Sequence, residues 1–272
     1  MARMRPVTFV VPCYNEASRL DVERFAELAA RPGIHLLFVD DGSTDGTRGL
    51  LDALVRRGRG RIGVLGLTEN SGKAEAVRRG LLDALTRGHE AVGFADADLA
   101  TPPEELVRLV TVLEEKGVQA VLGARVVLMG GHIERRPWRH ATGRVFAMFA
   151  TAVLRVPFYD TQCGAKVFRP SAQLAAALRT PFHSRWAFDV ELLGRLLSGS
   201  QGVEPMRESA FVEVPLRRWV DVAGSKRHLA SMVRATLDLG VIAVDLARRR
   251  RSSRERPLAT SPARTRDNSG PS

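Results

Sequence analysis

Cysteine is scarce: the 272-residue chain holds two, Cys13 and Cys163. Their spacing suits neither a disulfide framework nor a zinc site, so reduced thiols in a cytosolic protein are expected. Aromatic residues amount to 6%. No nucleic-acid recognition motif accompanies the charge, so specific nucleic-acid binding is not expected. A glycine-rich triphosphate loop near the N-terminus is also missing, which counts against a nucleotidyltransferase. No uninterrupted apolar stretch reaches the roughly 18 residues that span a bilayer. The strand-like run Val7–Val11 follows the N-terminus too closely for a secretory leader. The expectation is a soluble or peripheral protein.

What is present is a large apolar fraction, 44%, enough to bury the core of one α/β domain. The formal net charge is +11 at pH 7. From Arg248 to Ser272 eight arginines meet only Glu255 and Asp267, so that stretch carries a net +6 and the preceding residues +5. This distribution suits a polyanionic partner, and it equally suits a solvated tail. Composition places residues 1–247 in a globular domain and 248–272 in a basic, disordered tail.

Short apolar runs alternate with longer segments of helical spacing. The runs are Val7–Val11, Ile34–Val39, Ile62–Leu67, Ala91–Ala95 and Ala120–Leu122; the helical segments are Val22–Ala30, Thr47–Arg57, Ala74–Thr86 and Glu104–Lys116. This order predicts a mainly parallel sheet with helices on both faces. Thr101 ahead of Pro102 reads as a helix cap, and Ser43 or Thr44 as another. Beyond Arg125 the expected elements are helices at Thr142–Leu154, Ala187–Leu197 and Leu229–Ala247, and strands at Lys166–Phe168 and Ala210–Val214.

Polar residues gather where the first four strands end, the rim that lines the cleft in such sheets. These ends read Pro12-Cys13-Tyr14-Asn15-Glu16, Asp40-Asp41-Gly42, Asn70-Ser71-Gly72-Lys73 and Asp96-Ala97-Asp98. Asp96 and Asp98 offer hard oxygen ligands for Mg²⁺ or Mn²⁺, which keep open positions for substrate phosphates. They also read as an Asx-turn before the Pro102 helix. Asp40 and Asp41 read either as turn residues or as acceptors for a base N–H and ribose hydroxyls, and Glu16 as a further ribose ligand. Lys73 opens a helix behind a glycine and reads either as a phosphate ligand at the helix N-terminus or as a solvated first-turn lysine, which the helix dipole would disfavour there.

In this order the segments VPCYNE, VDDGSTDGT, NSGKAEAVRRG and ADADLATPPE resemble the family-2 inverting glycosyltransferases. Later segments narrow the likeness. Asp160 to Phe168, Arg185 to Leu193, Gly224-Ser225-Lys226 and Gly123-Ala124-Arg125 are similar to the DTQCGFKxF, RWAFDVELL, GSK and GSR segments of the dolichyl-phosphate glucosyltransferases and their bacterial relatives. The resemblance spans about residues 6 to 246. It implies a GT-A nucleotide-diphospho-sugar transferase fold, α/β with a mainly parallel Rossmann-like sheet. Its donor-binding half would be about 6–124, and its acceptor and membrane-facing half about 125–247. It implies that Pro12, Tyr14, Glu16 and Asp41 surround the nucleoside and that Asp96 and Asp98 engage the diphosphate and metal. It places Arg125 and Lys226 on phosphates, and Asp160, Gln162 and Asp189 near sugar and acceptor. Two departures stand out: the eukaryotic members begin with a membrane anchor not seen here, and Ala165 replaces their usual Phe.

The implied reaction is transfer of a hexose, glucose from UDP-glucose or mannose from GDP-mannose, to a polyprenyl phosphate. A carbohydrate hydroxyl is the alternative acceptor, and would need a carboxylate base such as Asp189. A phosphate acceptor is already anionic, so cations matter more: the metal, Lys226, and arginines such as Arg125, Arg135 and Arg136. Val145–Leu154, and Leu229–Ala247 with Arg248 to Arg251 behind it, read as lipid-interface helices or as ordinary buried helices. The expected place is cytoplasmic, peripheral on the inner face of an anionic membrane.

Overall fold

The computed structural model describes residues 5–126, 132–134, 137–200, 202–220 and 229–254. For 132–134, 137–145, 229–233, 235–236 and 253–254 it describes the backbone alone. The expected alternation is observed. Strand β1 (Val7–Cys13) leads to α1 (Val22–Ala30), β2 (Ile34–Asp41), α2 (Thr47–Arg57), β3 (Ile62–Leu67), α3 (Lys73–Thr86), β4 (Ala91–Phe94), α4 (Pro103–Lys116) and β5 (Ala120–Ala124). The second half brings β6 (His132–Glu134), α5 (Pro137–Leu154), β7 (Lys166–Phe168), α6 (Ala172–Leu178), α7 (Phe188–Ser198), β8 (Phe211–Pro215), β9 (Arg218–Val220) and α8 (Leu229–Arg254).

Seven strands form the main sheet in the order β3-β2-β1-β4-β7-β5-β8, while β6 and β9 pair separately. Strands β1 to β4 run parallel, as does the β5–β8 pair. Strand β7 runs against both of its neighbours, β4 and β5. The chain therefore reverses strand order beside β1 and β4, the position where clefts open in such sheets.

Alternate side chains of each strand enter two separate cores. Val10, Leu37, Val39 and Phe94 join the core under α3, α5, α7 and α8, while Phe9, Leu36, Phe38 and Val121 join the one under α1, α2 and α4. Helix α3 sits close on the sheet because Gly80 has no side chain: a Cβ there would lie 2.8 Å from Val39 Cγ2 and closer still to Val10. Packing this tight leaves no room for another methylene.

Several ends differ from expectation. Pro102, not Thr101, occupies the cap of α4, with Pro103 in its first turn and no side-chain cap bond. Neither Ser43 nor Thr44 caps α2; Gly46 stands at that position, and Asp45 accepts from the Thr47 N–H at 2.9 Å. Helix α8 runs on to Arg254, past the expected end at Ala247. The short α6 was not expected; Ser171 caps it by accepting from the Leu174 N–H at 3.1 Å. Ala165 is fully buried in the core, so its small side chain faces apolar packing rather than acceptor or lipid.

Candidate active site

The first two strand ends are laced to each other. Asn15, in left-handed backbone at φ 51°, donates its N–H to Ser43 Oγ at 3.1 Å and accepts from the Thr44 N–H at 2.8 Å. Glu16 donates its N–H to Thr47 Oγ1 at 2.8 Å, and its carboxylate takes Arg19 in bidentate fashion at 2.6 and 2.8 Å. Pro12 and Tyr14 are half-buried beside them. These bonds join the β1 and β2 loops into one wall of the rim.

Asp40 accepts from the Ser43 N–H at 3.1 Å. Asp41 reaches across to the β3–α3 loop, where its two oxygens accept the N–H groups of Ser71 and Gly72, each at 2.8 Å. Burial pushes the Asp41 carboxyl above its usual range, and the two amide bonds pull the other way. Gly42 allows this approach: it sits at φ 68°, and a Cβ there would meet the Glu69 backbone at 2.6 Å. Arg185 holds the same loop from the other side, donating to the carbonyls of Ser71 at 3.3 Å and Asn70 at 3.0 Å.

That loop delivers Lys73 to the end of β4, where its ammonium pairs with Asp96. Asp98 accepts from the Ala100 N–H at 3.1 Å, and Leu99 between them is forced to φ 50°. A left-handed leucine costs about 1–2 kcal/mol, so the turn is strained where the two acids stand. Asp98 therefore both closes a turn and faces its neighbour. Burial, then the charge of Asp96, raises its pKa above the usual carboxylate value. Two oxygen ligands crowded in partial shelter from water, with Lys73 as the near cation, suit a divalent ion.

The second half of the chain completes the site. Strand β7 places Lys166 opposite Phe94 on β4. The turn before it packs Gly164 onto Asp96 so closely that a Cβ would fall within the carboxylate. Lys166 is wholly buried; its ammonium donates to Asp189 Oδ1 and to the Cys163 carbonyl, both at 2.6 Å, and lies 5.2 Å from the centre of the Phe94 ring. Asp189 stands in the first turn of α7.

Arg125 and Asp160 form a second buried pair. Asp160 accepts from the Arg125 N–H at 3.0 Å, from Nε at 2.6 Å and from Nη2 at 2.7 Å. Burial disfavours the guanidinium charge, but Asp160 outweighs it, so the pKa is raised. The guanidinium also lies 5.5 Å from the Trp219 ring centre. Glu213 on β8 holds the loop in turn, accepting the N–H groups of Tyr159 at 2.7 Å and Asp160 at 2.9 Å. Gln162 is half-buried in the same turn. Lys226, Arg135 and Arg136 lie outside the described residues.

Lys166, Glu213, Arg185 and Gly164 were not foreseen as site residues. Lys166, Gly164 and Arg185 stand inside the quoted motifs, which was the signal available for them. A further cluster, His183, Glu191 and Asp245, brings ligand-type atoms within 4.8 Å of one another. Its charge is already matched: Arg195 donates to Glu191 at 2.6 Å and Arg249 to Asp245 at 2.7 Å.

Residues 8–172 match the family model described as glycosyl transferase family 2. A dolichyl-phosphate beta-glucosyltransferase of Drosophila melanogaster is 34% identical over 241 residues, covering 81% of this chain and 68% of its own. A polyprenol monophosphomannose synthase of Mycolicibacterium smegmatis is 29% identical over 208 residues, covering 76% of this chain and 75% of its own. Among solved structures, glucosyl-3-phosphoglycerate synthase of Mycobacterium tuberculosis, crystallised with Mn²⁺, UDP and glucosyl-3-phosphoglycerate, aligns with a TM-score of 0.65. The alignment covers 89% of this chain and 80% of that one at 19% identity, a likeness of fold. The family match over more than half of the chain and the mainly parallel seven-stranded sheet together place this chain among the family-2 glycosyltransferases of GT-A fold.

Proposed function

We propose that the protein transfers a hexose, glucose from UDP-glucose, to the phosphate of a polyprenyl phosphate with inversion at C1. Mannose from GDP-mannose is the second reading, kept by the mycobacterial relative. The observation that carries the proposal is the junction of Lys73, Asp96 and Gly164, where the donor half meets the turn that follows Asp160. Glucosyltransferase relatives at 30% identity or more support the glucosyl donor.

In this reading Pro12, Tyr14, Glu16, Asp40 and Asp41 hold the nucleoside, with Asp41 acting through the loop it fastens. Asp96 and Asp98 would hold Mg²⁺ or Mn²⁺ against the diphosphate, and such an ion supplies positive charge that stabilises a departing diphosphate. Lys73 and Arg125 add fixed charge, and Asp160 orients Arg125. Gln162 and Asp189 border the sugar. An acceptor phosphate oxygen attacks C1; the bond from C1 to the diphosphate oxygen breaks, its electron pair leaving with the nucleotide. The acceptor's second pKa is about 6, so no base need remove a proton near neutrality. Asp189, tied to Lys166, is then an orienting group rather than an obligatory base. The proposed acceptor is a lipid, so the protein would work at a membrane surface, and we place it on the cytoplasmic face.

Incubation of the full chain and Mn²⁺ or Mg²⁺ with polyprenyl phosphate and labelled UDP-glucose or GDP-mannose tests this. An acid-labile glycolipid from UDP-glucose is expected. Transfer to a hydroxyl acceptor alone, or complete loss of activity in Asp189→Asn under conditions where circular dichroism shows that variant folded, overturns it.

A further inference from the structure

Helices α5 and α8 rest side by side on α7. Their buried stripes, Phe146, Ala150 and Leu154 on one and Leu239, Ile242 and Leu246 on the other, enter a common core. A Cβ on Gly194 of α7 would clash with Leu246 and lie 3.2 Å from Leu154. The opposite faces of both helices point away from the body, and they are apolar where solvent would call for polar residues. Met148 is 62% exposed, Leu237 71%, and Val241 and Val244 53% each.

The pattern on α8 is ordered. Leu237, Val241 and Val244 follow one another at helical spacing along a single face, and exposed Arg248 and Arg251 continue it. Arg234, also exposed, stands one turn before Leu237. The face is thus an apolar centre with basic ends. The two other arginines of the run turn elsewhere: Arg249 pairs with Asp245, and Arg250 donates to the Val153 and Leu154 carbonyls at the end of α5. Asp238, the other acid of α8, is engaged by Ser184 at 2.6 Å. The sequence run of four arginines is therefore divided by the fold into two that fasten α8 and two that look outward.

We propose that this face of α8, with Met148 and Phe149 of α5 beside it, docks on the surface of an anionic lipid bilayer. A second copy of the chain fits the same stripe poorly. Parallel pairing sets Arg248 and Arg251 against themselves, and antiparallel pairing sets them against Arg234, with no acid on the stripe to compensate. An anionic surface answers both features: apolar side chains enter the boundary region and the arginines meet headgroups. Among the described residues no helix is long and apolar enough to cross a membrane, so the contact is lateral. The partner rests on the lipid-acceptor reading given above; the docking itself does not require turnover.

The test is co-sedimentation of the full chain with vesicles of phosphatidylcholine alone or with phosphatidylglycerol added. Wild type should partition to the anionic vesicles. Arg248→Ala with Arg251→Ala should lower the partition coefficient, each loss about fivefold. Val241→Asp with Val244→Asp should abolish binding. Both pairs are exposed, so circular dichroism and transfer to a short-chain acceptor in detergent should stay as in wild type. Equal partitioning of wild type and Val241→Asp with Val244→Asp overturns the proposal, as does a wild-type dimer in ultracentrifugation that these substitutions dissociate. Vesicle binding without sugar transfer by wild type would instead sink the acceptor reading and leave the docking surface standing.

Discussion

Gly164 lies so close against the Asp96 carboxylate that a Cβ on it would occupy the same space. The contact joins the end of β4 to the turn that also carries Gln162 and Cys163. It makes the position of Asp96 depend on a residue far along the chain.

Gly164→Ala should therefore displace Asp96 while leaving the fold intact. A shift of about 1 Å in a positioned group can cost 10²-fold in rate, and a loss of that order in kcat/KM is expected. The apparent dissociation constant for Mn²⁺, measured with UDP-glucose present, should rise in parallel. Unchanged metal dependence would show that the contact carries no functional strain.

Asp98→Asn should separate stability from function. The Asp98 pKa is raised in the folded protein by burial and by Asp96. A raised pKa means the folded state holds its proton more tightly than the unfolded state does. That contribution is present at low pH and is lost as pH rises through the folded value. In EDTA near neutral pH the variant should melt above wild type, and below the usual carboxylate range the two should converge. With Mn²⁺ the order should reverse, because in the proposed reading the ion needs both carboxylates and stabilises only the chain that has them. Thermal melts at several pH values, with and without metal, check each point.

The Lys166–Asp189 pair should be coupled. Both side chains are nearly inaccessible, at 0% and 7% exposure. Breaking a buried pair by removing one partner costs about 3–5 kcal/mol. Lys166→Met and Asp189→Asn should each be strongly destabilising, and the double variant less so than the sum of the two. Urea unfolding of the four proteins measures the coupling. Additive losses would mean that Cys163 and Phe94, not Asp189, account for the lysine.

Much of the first half was readable from the chain. Apolar runs of strand length between amphipathic segments located β1 to β5 and α1 to α4 within a residue or two. The reason is local: each strand is covered on both faces, so nearly every side chain must be apolar until the strand leaves the core. The acids then appear abruptly, as at Asp40 and Asp96. The three-residue β6 and β9 and the short α6 escaped notice because so few residues establish no period; β7, equally short, was found because apolar Val167 and Phe168 stand at a quoted motif's end.

The second half was less legible. Lys166 at the start of a strand reads as a solvent-facing charge. It is buried because β7 lies between β4 and β5 in the sheet and α7 brings Asp189 over its ammonium. Arg125 and Asp160 were each assigned to substrate; that they bind each other follows from the loop anchored by Glu213, a long-range contact with no local signature. The run Arg248 to Arg251 shows the same limit: helical geometry sends Arg249 and Arg250 to partners on α8 and α5 and leaves Arg248 and Arg251 outside.

The chain by itself determined the alternation of elements, the identity of the acids at the strand ends and the family, because short-range periodicity and motif chemistry are written in neighbouring residues. Only the tertiary structure decided which charge meets which: Lys73 with Asp96, Lys166 with Asp189, Arg125 with Asp160. Ion pairing in a sheltered site depends on distance and desolvation, and both are set by how β7 and α7 return to the first half of the sheet.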